Sequence, residues 1–274
     1  MPELPEVETV RRSISAICGK TIDSVWFSKL APIETCSRAA LLKALQASKL
    51  REPQRLGKYL IFTSNQEKQL VLHLGMSGKV LFHQQEPAAQ PKHLHMKLTF
   101  NDGSVLLFED ARRFGTLSLV EAGKPNSNAF LNRIGPDWLA ENFSVNDFIS
   151  RTRKHPKLNM KALTMDQRIA TGLGNIYACE ALFTAKISPE RLVKDCSDKE
   201  LTALYHASQR ILRIGIEKAG SSIRDYINGQ GSKGEMQEFL QVYGRKGKTL
   251  DGKFAVSCIT QQGRSTWWCP EMQR

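Results

Sequence analysis

The sequence predicts an α+β protein in which an N-terminal antiparallel β-sandwich, with one helix packed on it, precedes a helical domain and a C-terminal β-hairpin. Short β-branched or aromatic segments separated by turn signals fill residues 21–120. Helical periodicity dominates from about 144 to 219. Glycines mark turns in the tail, residues 247–274. With 274 residues the chain is long enough for two domains, which agrees with this change of pattern.

The first predicted element is an amphipathic helix over residues 3–18. Val7, Val10 and Ile14 fall on one face at helical spacing, and Gly19 supplies a C-terminal stop. Acidic side chains crowd the first turns, where the helix dipole favours negative charge. This apolar face is expected to pack on the neighbouring sheet.

Seven segments of the next hundred residues carry alternating, β-branched or aromatic side chains, which predicts strands. They are TIDSVWFSKL, KYLIFTS, KQLVLHLG, GKVLFH, KHLHMKLTF, SVLLFED and GTLSLV. A short helix over 37–47, capped by Ser37, interrupts them. The NDG sequence at Asn101–Gly103 is a hairpin turn signal. Short strands joined by tight turns predict an antiparallel sandwich or barrel.

Composition divides the chain into four parts. The N-terminal domain is predicted over residues 1–125, and a linker rich in Gly, Pro, Asn and Ser over 126–142. A helical domain over 143–235 ends in a polar, glycine-rich loop at 220–235, and residues 236–274 contain the hairpin. The predicted helices after the linker lie around 144–153, 157–167, 175–185, 198–219 and 236–246.

Charge points to a polyanionic partner. The chain has 39 Lys and Arg against 27 Asp and Glu, a net charge of +12. The excess is concentrated in residues 151–274, which carry 21 basic and 12 acidic side chains. Nucleic acid is the first candidate partner, although a generic solubility charge explains the numbers about equally well.

Other features narrow the cellular setting. The six cysteines form no CxxC pair, so we expect reduced thiols and a cytoplasmic protein. No apolar run approaches the roughly 18 residues of a membrane span. The first eight residues include three glutamates, unlike a secretory signal peptide.

The amino end carries residues suited to covalent catalysis. Removal of Met1 would leave Pro2 with a free secondary amine, which is less basic than a lysine side chain and can form an iminium ion with a sugar carbon. Glu3 could transfer protons to and from a sugar oxygen. On the dipeptide alone the simpler explanation is stronger, because proline is favoured in the first turn of a helix.

The longer string MPELPEVETVRR changes that balance, because it resembles the opening of the formamidopyrimidine-DNA glycosylase family, bacterial-type repair enzymes for oxidised purines. Further matching segments, in order along nearly the whole chain, make the resemblance specific. They are RLGKYL at 55–60, HLGMSG at 73–78, KHLHMKL at 92–98, DARRFG at 110–115, MDQ at 165–167, GLGNIYACEALF at 172–183, VYGRKG at 242–247 and STWWCP at 265–270.

The resemblance implies a bifunctional glycosylase and AP lyase that needs no metal or organic cofactor. Pro2 is implied as the nucleophile that attacks C1′, Glu3 as the acid/base group at the deoxyribose ring oxygen, and Lys58 as a cation near the proline and a phosphate. Glu6 matches a further acidic position, but helix capping explains it equally well. By itself, Lys58 would be interpreted as a solvated residue opening an edge strand.

Extrusion of the damaged base leaves a gap in the duplex. The resemblance implies that Met76, Arg112 and Phe114 fill this gap, and the neighbouring Arg113 is a candidate contact for a phosphate instead. A flexible apolar group, a planar cation and an aromatic ring suit the task because they stack on or hydrogen-bond to the unpaired base. The structural alternative places Met76 and Phe114 in the core at strand ends.

Phosphate contacts are implied mainly in the helical domain. Asn175 in GLGNIY matches an asparagine of a helix–two-turn–helix motif, where glycines and a helix N-terminus favour an anion. Lys157, His93 and Arg264 match other DNA-contacting positions. The loop at 220–235 corresponds to a segment that covers the extruded base, and its implied contacts are Ser221 and Ser222.

The tail departs from the family pattern of two CxxC pairs holding one zinc ion. Only Cys269 is retained of the four ligand positions, the others being Leu250, Lys253 and Met272. One thiolate cannot form a structural zinc site, so the sequence predicts a zincless β-hairpin finger. The hairpin could be retained and packed by aromatic residues, or it could be degenerate; the surviving turn at Arg264 favours retention.

The predicted function is therefore removal of 8-oxoguanine and formamidopyrimidines from double-stranded DNA, with cleavage at abasic sites by β,δ-elimination. Two alternatives stay open: an endonuclease VIII-like glycosylase for oxidised pyrimidines, and a damage-binding protein that does not cut. The expected partner is DNA containing oxidised bases or abasic sites, bound by a monomer, with no membrane association.

Overall fold

The computed structural model of the chain describes residues 1–121, 131–221, 229, 231–245 and 247–274. By its internal contacts the chain divides into two units. The first comprises Met1–Asn132 and Ala219–Gly234, and the second comprises Arg133–Lys218 and Glu235–Arg274. In the described part of the chain, no helix has the length and apolar character needed to cross a bilayer.

Where the structure describes the first unit, it contains two four-stranded antiparallel sheets, with strand orders β1-β6-β7-β5 and β2-β3-β4-β8. Their strands are β1 Ile22–Phe27, β2 Gln54–Leu56, β3 Tyr59–Thr63, β4 Lys68–His73, β5 Lys79–His83, β6 Leu94–Phe100, β7 Val105–Glu109 and β8 Thr116–Glu121. One hydrophobic core contains buried side chains from both sheets, such as Leu60 and Leu72 from one and Leu98 and Phe108 from the other. This confirms the predicted α+β fold with an antiparallel sandwich.

The N-terminal helix packs on this core. Helix α1 spans Leu4–Ser13, and a 3-10 turn at Ser15–Ile17 replaces the last turns of the predicted helix. Val7 and Val10 of α1 are buried in the same core as the sheets. Helix α2, Arg38–Leu45, begins where predicted, because the Ser37 hydroxyl accepts a hydrogen bond from the N–H of Ala40 at 3.1 Å.

Strand β2 was not predicted. It is a three-residue edge strand that pairs with β3, and Arg55 lies opposite Leu60. Its residues are exposed or half-buried, so no apolar alternation reveals it in the sequence. The hairpin formed by β2 and β3 matters for function because Lys58 lies in its turn.

The described residues of the second unit form four α-helices and a small sheet. The helices are α3 Val145–Arg153, α4 Met160–Met165, α5 Asn175–Ala185 and α6 Asp198–Glu217, close to their predicted bounds. Ser144 and Ser197 cap α3 and α6 through capping boxes. This unit also contains a cluster of buried aromatic rings, in which Trp138 contacts Phe143, Phe148 and Tyr205.

The tail forms the predicted hairpin. Strand β9, Gly247–Lys248, pairs with β10, Ala255–Gln261, which pairs with β11, Arg264–Trp268. The predicted helix over 236–246 is wrong, since the described residues 236–245 contain only a 3-10 turn at Met236–Glu238. The backbone after that turn donates its N–H groups to a buried carboxylate instead of to a helix, as described below.

The loop at 220–235 groups differently from the prediction, which joined it to the helical domain. The division places residues 219–234 with the first unit. The N–H of Gly229 donates to the Ser13 hydroxyl at 2.8 Å, and the N–H of Phe82 donates to the carbonyl of Gly229 at 3.0 Å. Of the predicted linker, residues 126–130 lie outside the described residues.

Candidate active site and nucleic-acid interface

The amino end of the chain is held in place by two buried carboxyl groups. Pro2 is buried, whereas Met1, the residue before it, is 43% exposed. Glu3 and Glu6 are each only 2% exposed. Glu6 accepts a hydrogen bond from the N–H of Glu3 at 2.8 Å and another from the N–H of Ser221 at 2.7 Å. Glu6 therefore does bind the backbone at the start of α1, and it also fixes the first residue of the loop after Gly220.

Lys58 is buried rather than solvated, so the interpretation as an exposed edge residue is wrong. Its exposure is 5%, and it lies in the turn between β2 and β3. Helix α1 packs against both of these strands. The fold therefore brings the amino end and the hairpin of Lys58 into the same part of the first unit.

His73 belongs to the same region and was overlooked in the sequence, although it opens the HLGMSG segment. Its Nδ1 accepts a hydrogen bond from the N–H of Gly75 at 3.2 Å, so the neutral ring carries its proton on Nε2. Burial and the positive charge of Lys58 lower the pKa of His73 to about 4. At neutral pH it is an uncharged ring that carries its proton on Nε2.

A second overlooked group, Glu8, anchors α1. Its carboxylate accepts hydrogen bonds from Arg11 at 2.9 Å, Arg12 at 2.8 Å and Arg55 at 3.2 Å. Burial raises the pKa of Glu8, but the hydrogen bonds from Arg11 and Arg12 outweigh burial and lower the pKa to about 2. Because Arg55 belongs to β2, this ion cluster ties the helix to the hairpin of Lys58.

The three side chains predicted to fill the gap in DNA lie on two turns of the first unit. Met76 is half-buried, whereas Arg112 and Phe114 are exposed, with Phe114 54% exposed. The Arg112 guanidinium lies 4.7 Å from the centroid of the Phe114 ring. The alternative that Phe114 is a core residue is therefore wrong. Arg113, between them, is also exposed and adopts a φ of +56°.

His93 is exposed and lies immediately before β6. Its carbonyl accepts the N–H of Asp110 at 3.0 Å, so its backbone adjoins the turn of Arg112. The next histidine on the strand, His95, is buried and contacts the carbonyl of Asp110 through Nε2 at 3.0 Å. The exposed ring of His93 is thus the one that a DNA backbone could reach.

In the second unit, Asn175 is the first residue of α5 and joins three segments. Its Nδ2 donates to the carbonyl of Ser265 at 2.8 Å and to the Tyr243 hydroxyl at 3.4 Å. Its Oδ1 accepts a hydrogen bond from the Lys161 ammonium. Lys161 is 3% exposed, whereas the predicted phosphate ligand Lys157 is exposed. The lysine that the described contacts place beside Asn175 is therefore Lys161.

The turn before α5 is shaped by Gln167 of the MDQ segment. Its side-chain amide donates to the carbonyls of Met165 at 2.7 Å and Leu173 at 2.8 Å, and its oxygen accepts the N–H of Gly172 at 3.0 Å. Gly172 has a φ of +130°, which other residues rarely adopt. These contacts present the backbone before Asn175 in one conformation, as an anion site at a helix start requires.

A buried carboxylate connects α5 to the segment that leads into the hairpin. Glu180 is fully buried and accepts hydrogen bonds from three successive backbone N–H groups, those of Gln241 at 2.8 Å, Val242 at 3.0 Å and Tyr243 at 2.8 Å. Burial raises the pKa of Glu180, opposed by these three donors. The contact positions the Tyr243 ring, whose hydroxyl meets Asn175.

The hairpin presents Arg264 at its tip. Arg264 is exposed, is the first residue of β11 and pairs with Gln261 of β10. The turn between them contains Gly263 with a φ of +72°. A basic side chain at an exposed hairpin tip is suitably placed to enter a DNA groove.

Three of the four tail positions that the resemblance aligns with zinc ligands, Leu250, Lys253 and Met272, carry no thiol, imidazole or carboxylate. Leu250 and Lys253 are exposed, and Cys269 is completely buried. Gln273 bridges this end of the tail: its Oε1 accepts the N–H of Cys269 at 2.7 Å, and its Nε2 donates to the carbonyl of Ile187 at 2.9 Å. Within the described residues no group of three or more His, Cys, Asp or Glu could hold a metal ion. The absence of zinc stays a prediction.

The predicted loop contacts are described only in part. Ser221 is buried and held through its backbone by Glu6. Ser222 lies outside the described residues. The first unit therefore gathers Pro2, Glu3, Glu6 and Ser221 at the start of α1.

Two family models match the chain. One, described as the formamidopyrimidine-DNA glycosylase N-terminal domain, covers residues 1–117, and the other, described as the H2TH domain of that enzyme, covers residues 134–226. Among curated relatives, the formamidopyrimidine-DNA glycosylase of Heliobacterium modesticaldum is 39% identical, and the similarity covers 100% of both chains.

Solved structures agree with these matches. A complex between a Lactococcus lactis FPG mutant and a Fapy-dG containing DNA has a TM-score of 0.90 and 35% identity, covering 100% of both chains. A complex between the Lactococcus lactis Fpg and an abasic site containing DNA has a TM-score of 0.88 and 34% identity, covering 99% of both chains.

Proposed function

The chain belongs to the formamidopyrimidine-DNA glycosylase family, enzymes of base excision repair, and from that premise we propose that it removes oxidised purines and then cleaves the DNA strand at the same site. The substrates would be 8-oxoguanine and formamidopyrimidines in duplex DNA. The observation that carries the proposal is the buried start of α1, where Pro2 adjoins Glu3 and the loop residue Ser221 is tied to Glu6.

The first chemical step uses the amine of Pro2, exposed by removal of Met1. An α-amino group titrates near ~8, so a useful fraction is uncharged at neutral pH. The nitrogen attacks C1′ of the damaged nucleotide and the N–C1′ bond forms, while the bond from C1′ to the base breaks. The base leaves with that bonding electron pair and takes up the proton that the amine loses, so the nitrogen lone pair is free for the next step. Glu3 transfers a proton to the ring oxygen, the bond from C1′ to that oxygen breaks, and an iminium ion remains.

The iminium ion then allows strand cleavage. It acidifies the C2′ proton, and loss of that proton expels the phosphate on C3′ by β-elimination. Loss of the C4′ proton expels the phosphate on C5′ by δ-elimination, and water releases Pro2 from the sugar fragment. Each step moves protons and electron pairs only, so neither a metal ion nor an oxidant is required.

The surrounding residues would hold the DNA. Lys58 supplies a buried cation near the amino end, and the neutral ring of His73 supplies a fixed N–H donor for a phosphate oxygen. Met76, Arg112 and Phe114 fill the gap left by the extruded base. Damaged DNA as the partner is supported by the Fapy-dG and abasic-site DNA in the Lactococcus lactis structures.

The second unit would contact the backbone of the same DNA. Asn175, Lys161 and Tyr243 form one connected set at the start of α5, and Arg264 and Lys157 are exposed for further contacts. In the first unit, His93 and Arg113 are similarly exposed. We expect one chain to supply all of these contacts, so that the enzyme acts as a monomer. We also expect it to act in the cytoplasm.

Substrate assays test this function. We expect strand cleavage of a duplex with 8-oxoguanine opposite C to exceed cleavage of a thymine glycol duplex, and E3Q to lose about 100-fold or more of base excision. E86Q, an exposed carboxylate of the same unit, is the matched control. Preference for thymine glycol would favour the endonuclease VIII-like alternative, and tight binding with no cleavage would favour a damage-binding protein.

Metal analysis tests the proposed zincless tail. Elemental analysis of untagged protein should find zinc far below one ion per chain, and a chelator should leave cleavage unchanged. Stoichiometric zinc, or complete inactivation by the chelator, would contradict this part of the proposal.

A further inference from the structure

Asp110 is a buried carboxylate at the base of the turn that carries Arg112 and Phe114. It has no exposed surface. Its Oδ1 accepts the N–H of Arg112 at 3.2 Å, and its Oδ2 accepts the N–H of Gly115 at 2.7 Å. One carboxylate therefore fixes both ends of this turn.

The same carboxylate also holds the turn that carries Met76. The Ser77 hydroxyl donates to Asp110 Oδ1 at 2.5 Å and accepts the N–H of Arg112 at 3.1 Å. Ser77 thus bridges the side chain of Asp110 and the backbone of Arg112. Its own turn is closed by a hydrogen bond from the N–H of Gly78 to the carbonyl of Leu74 at 2.9 Å.

The backbones of the two turns are in direct contact. A Cβ atom placed on Gly75 would lie 2.3 Å from the carbonyl carbon of Phe114, and Gly75 has a φ of +60°. A Cβ atom on Gly115 would lie 2.8 Å from the carbonyl oxygen of His73. No side chain fits between the turns at these points, so neither can move far without the other.

We propose that Asp110 and Ser77 are positioning residues that join these two turns into one element, so that Met76, Arg112 and Phe114 enter the DNA together. The inference rests on the proposed function, in which those three side chains fill the gap left by the extruded base. It adds a specific device: a buried carboxylate and a hydroxyl that neither touch DNA nor react.

The physical reason is pre-organisation. The groups that fill the gap must arrive as the base leaves, and each loosely held turn would lose conformational entropy on insertion. Supporting hydrogen bonds that are already made in the free enzyme remove much of that cost. Loosening the bridge should therefore slow extrusion of a base more than reactions on a site from which the base is already missing.

The test compares two duplexes, one with 8-oxoguanine opposite C and one with a preformed abasic site, under single-turnover conditions. We expect S77A to lower the cleavage rate of the 8-oxoguanine duplex about tenfold. The rate on the abasic duplex should fall at least five times less. S77T keeps the hydroxyl and should recover most of the lost rate. D110N should show the same loss as S77A, because a side-chain amide has one acceptor oxygen where the carboxylate has two.

The matched control is S48A. Ser48 is completely buried in the same unit and donates its hydroxyl to the carbonyl of Leu45 at 2.7 Å, away from both turns. In addition, F114A should lower the cleavage rate of the 8-oxoguanine duplex by a smaller factor in S77A than in the wild type. The Phe114 ring is already displaced in S77A, so its removal changes less.

The outcomes separate the two claims. A wild-type enzyme that cleaves neither duplex contradicts the proposed function and the inference with it. If the wild-type enzyme cleaves both duplexes, two results would contradict the inference alone. One is that S77A and D110N lose the same factor of rate on both duplexes, and the other is that S77A cleaves as fast as S48A.

Discussion

Asp110 in the first unit and Glu180 in the second are both fully buried carboxylates, and each accepts hydrogen bonds from backbone N–H groups of a turn. They differ in how far along the chain those donors lie. The backbone donors of Asp110 are two and five residues away, whereas those of Glu180 are 61 to 63 residues away.

The difference shows how one chemical device serves two purposes. Around Asp110, the hydrogen bonds shape a local turn and, through Ser77, a neighbouring one. Around Glu180, they attach the segment before the hairpin to helix α5. Losing Asp110 should therefore disturb the placement of a few exposed side chains, whereas losing Glu180 should release the connection between α5 and the tail.

The largest effect on stability is expected for Glu180. E180A leaves the three N–H donors of residues 241–243 without their acceptor, and we expect the free energy of unfolding to fall by about 3 kcal/mol. Denaturant unfolding measures this change. E180Q keeps one oxygen acceptor and should lose less.

A loss below about 0.5 kcal/mol in E180A would show that water replaces the carboxylate at little cost. The proposed difference between Asp110 and Glu180 would then be wrong, because Glu180 would stabilise the tail no more than a surface residue does. E217Q, at the end of α6, is a control for the removal of a negative charge in the same unit.

A pH series measures the contribution of one buried group of the first unit, His73, to stability. Its folded pKa of about 4 lies below its ordinary value of 6.5, so the unfolded chain binds more protons between these values. The free energy of unfolding should therefore rise with pH across this window, by about 3 kcal/mol, and this contribution should be lost as the pH falls from 6.5 to 4.

H73Q should flatten that dependence, because glutamine does not titrate. H206Q, which removes an exposed histidine of α6, should leave it unchanged. An identical pH dependence in H73Q and the wild type would show that other groups cause the slope.

The smallest effect is expected at the end of the tail. Gln273 links the N–H of Cys269 to the carbonyl of Ile187, so Q273A should cost about 1 kcal/mol of unfolding free energy. It should also lower DNA affinity only slightly. E271A, an exposed neighbour, should match the wild type in thermal unfolding. If Q273A were indistinguishable from E271A, the bridge would be dispensable and the tail would depend on other contacts.

Much of the fold could be predicted from the sequence because local signals agree with the tertiary structure. The strands of the sandwich have regular apolar patterns, and α6 begins at its predicted first residue, 198, next to a capping box of Ser197 and Glu200. The hairpin over the last residues follows from its glycine turns. Each of these signals lies within its own segment of sequence, so it can be recognised before the partner of that segment is known.

The remaining features depend on distant partners. The segment 236–246 has helical composition, but Glu180 draws the N–H groups of residues 241–243 away from a helix. Strand β2 is visible only through its pairing with β3. Similarly, the burial of Lys58 in its turn is set by the whole unit and not by the apolar strand that follows it.

In the candidate site, too, some residues could be predicted from sequence motifs and others depend on distant contacts. The sequence pointed to Pro2, Glu3 and Asn175 through motifs, and the structure places them at the starts of helices. It pointed to Lys157, which is exposed and stays a predicted phosphate contact, and it did not point to Lys161, whose burial and contact with Asn175 appear only in the structure. His73 and Tyr243 were overlooked because their contacts are made with residues far away in the chain or set by burial, which the sequence does not show.

The most direct test of the central claim is to trap the enzyme on an abasic-site duplex with borohydride and to map the adduct by mass spectrometry. We predict a single adduct on the nitrogen of Pro2, in a chain from which Met1 has been removed. A chain that keeps Met1 and still cleaves at the full rate, or an adduct on a lysine, would contradict this account.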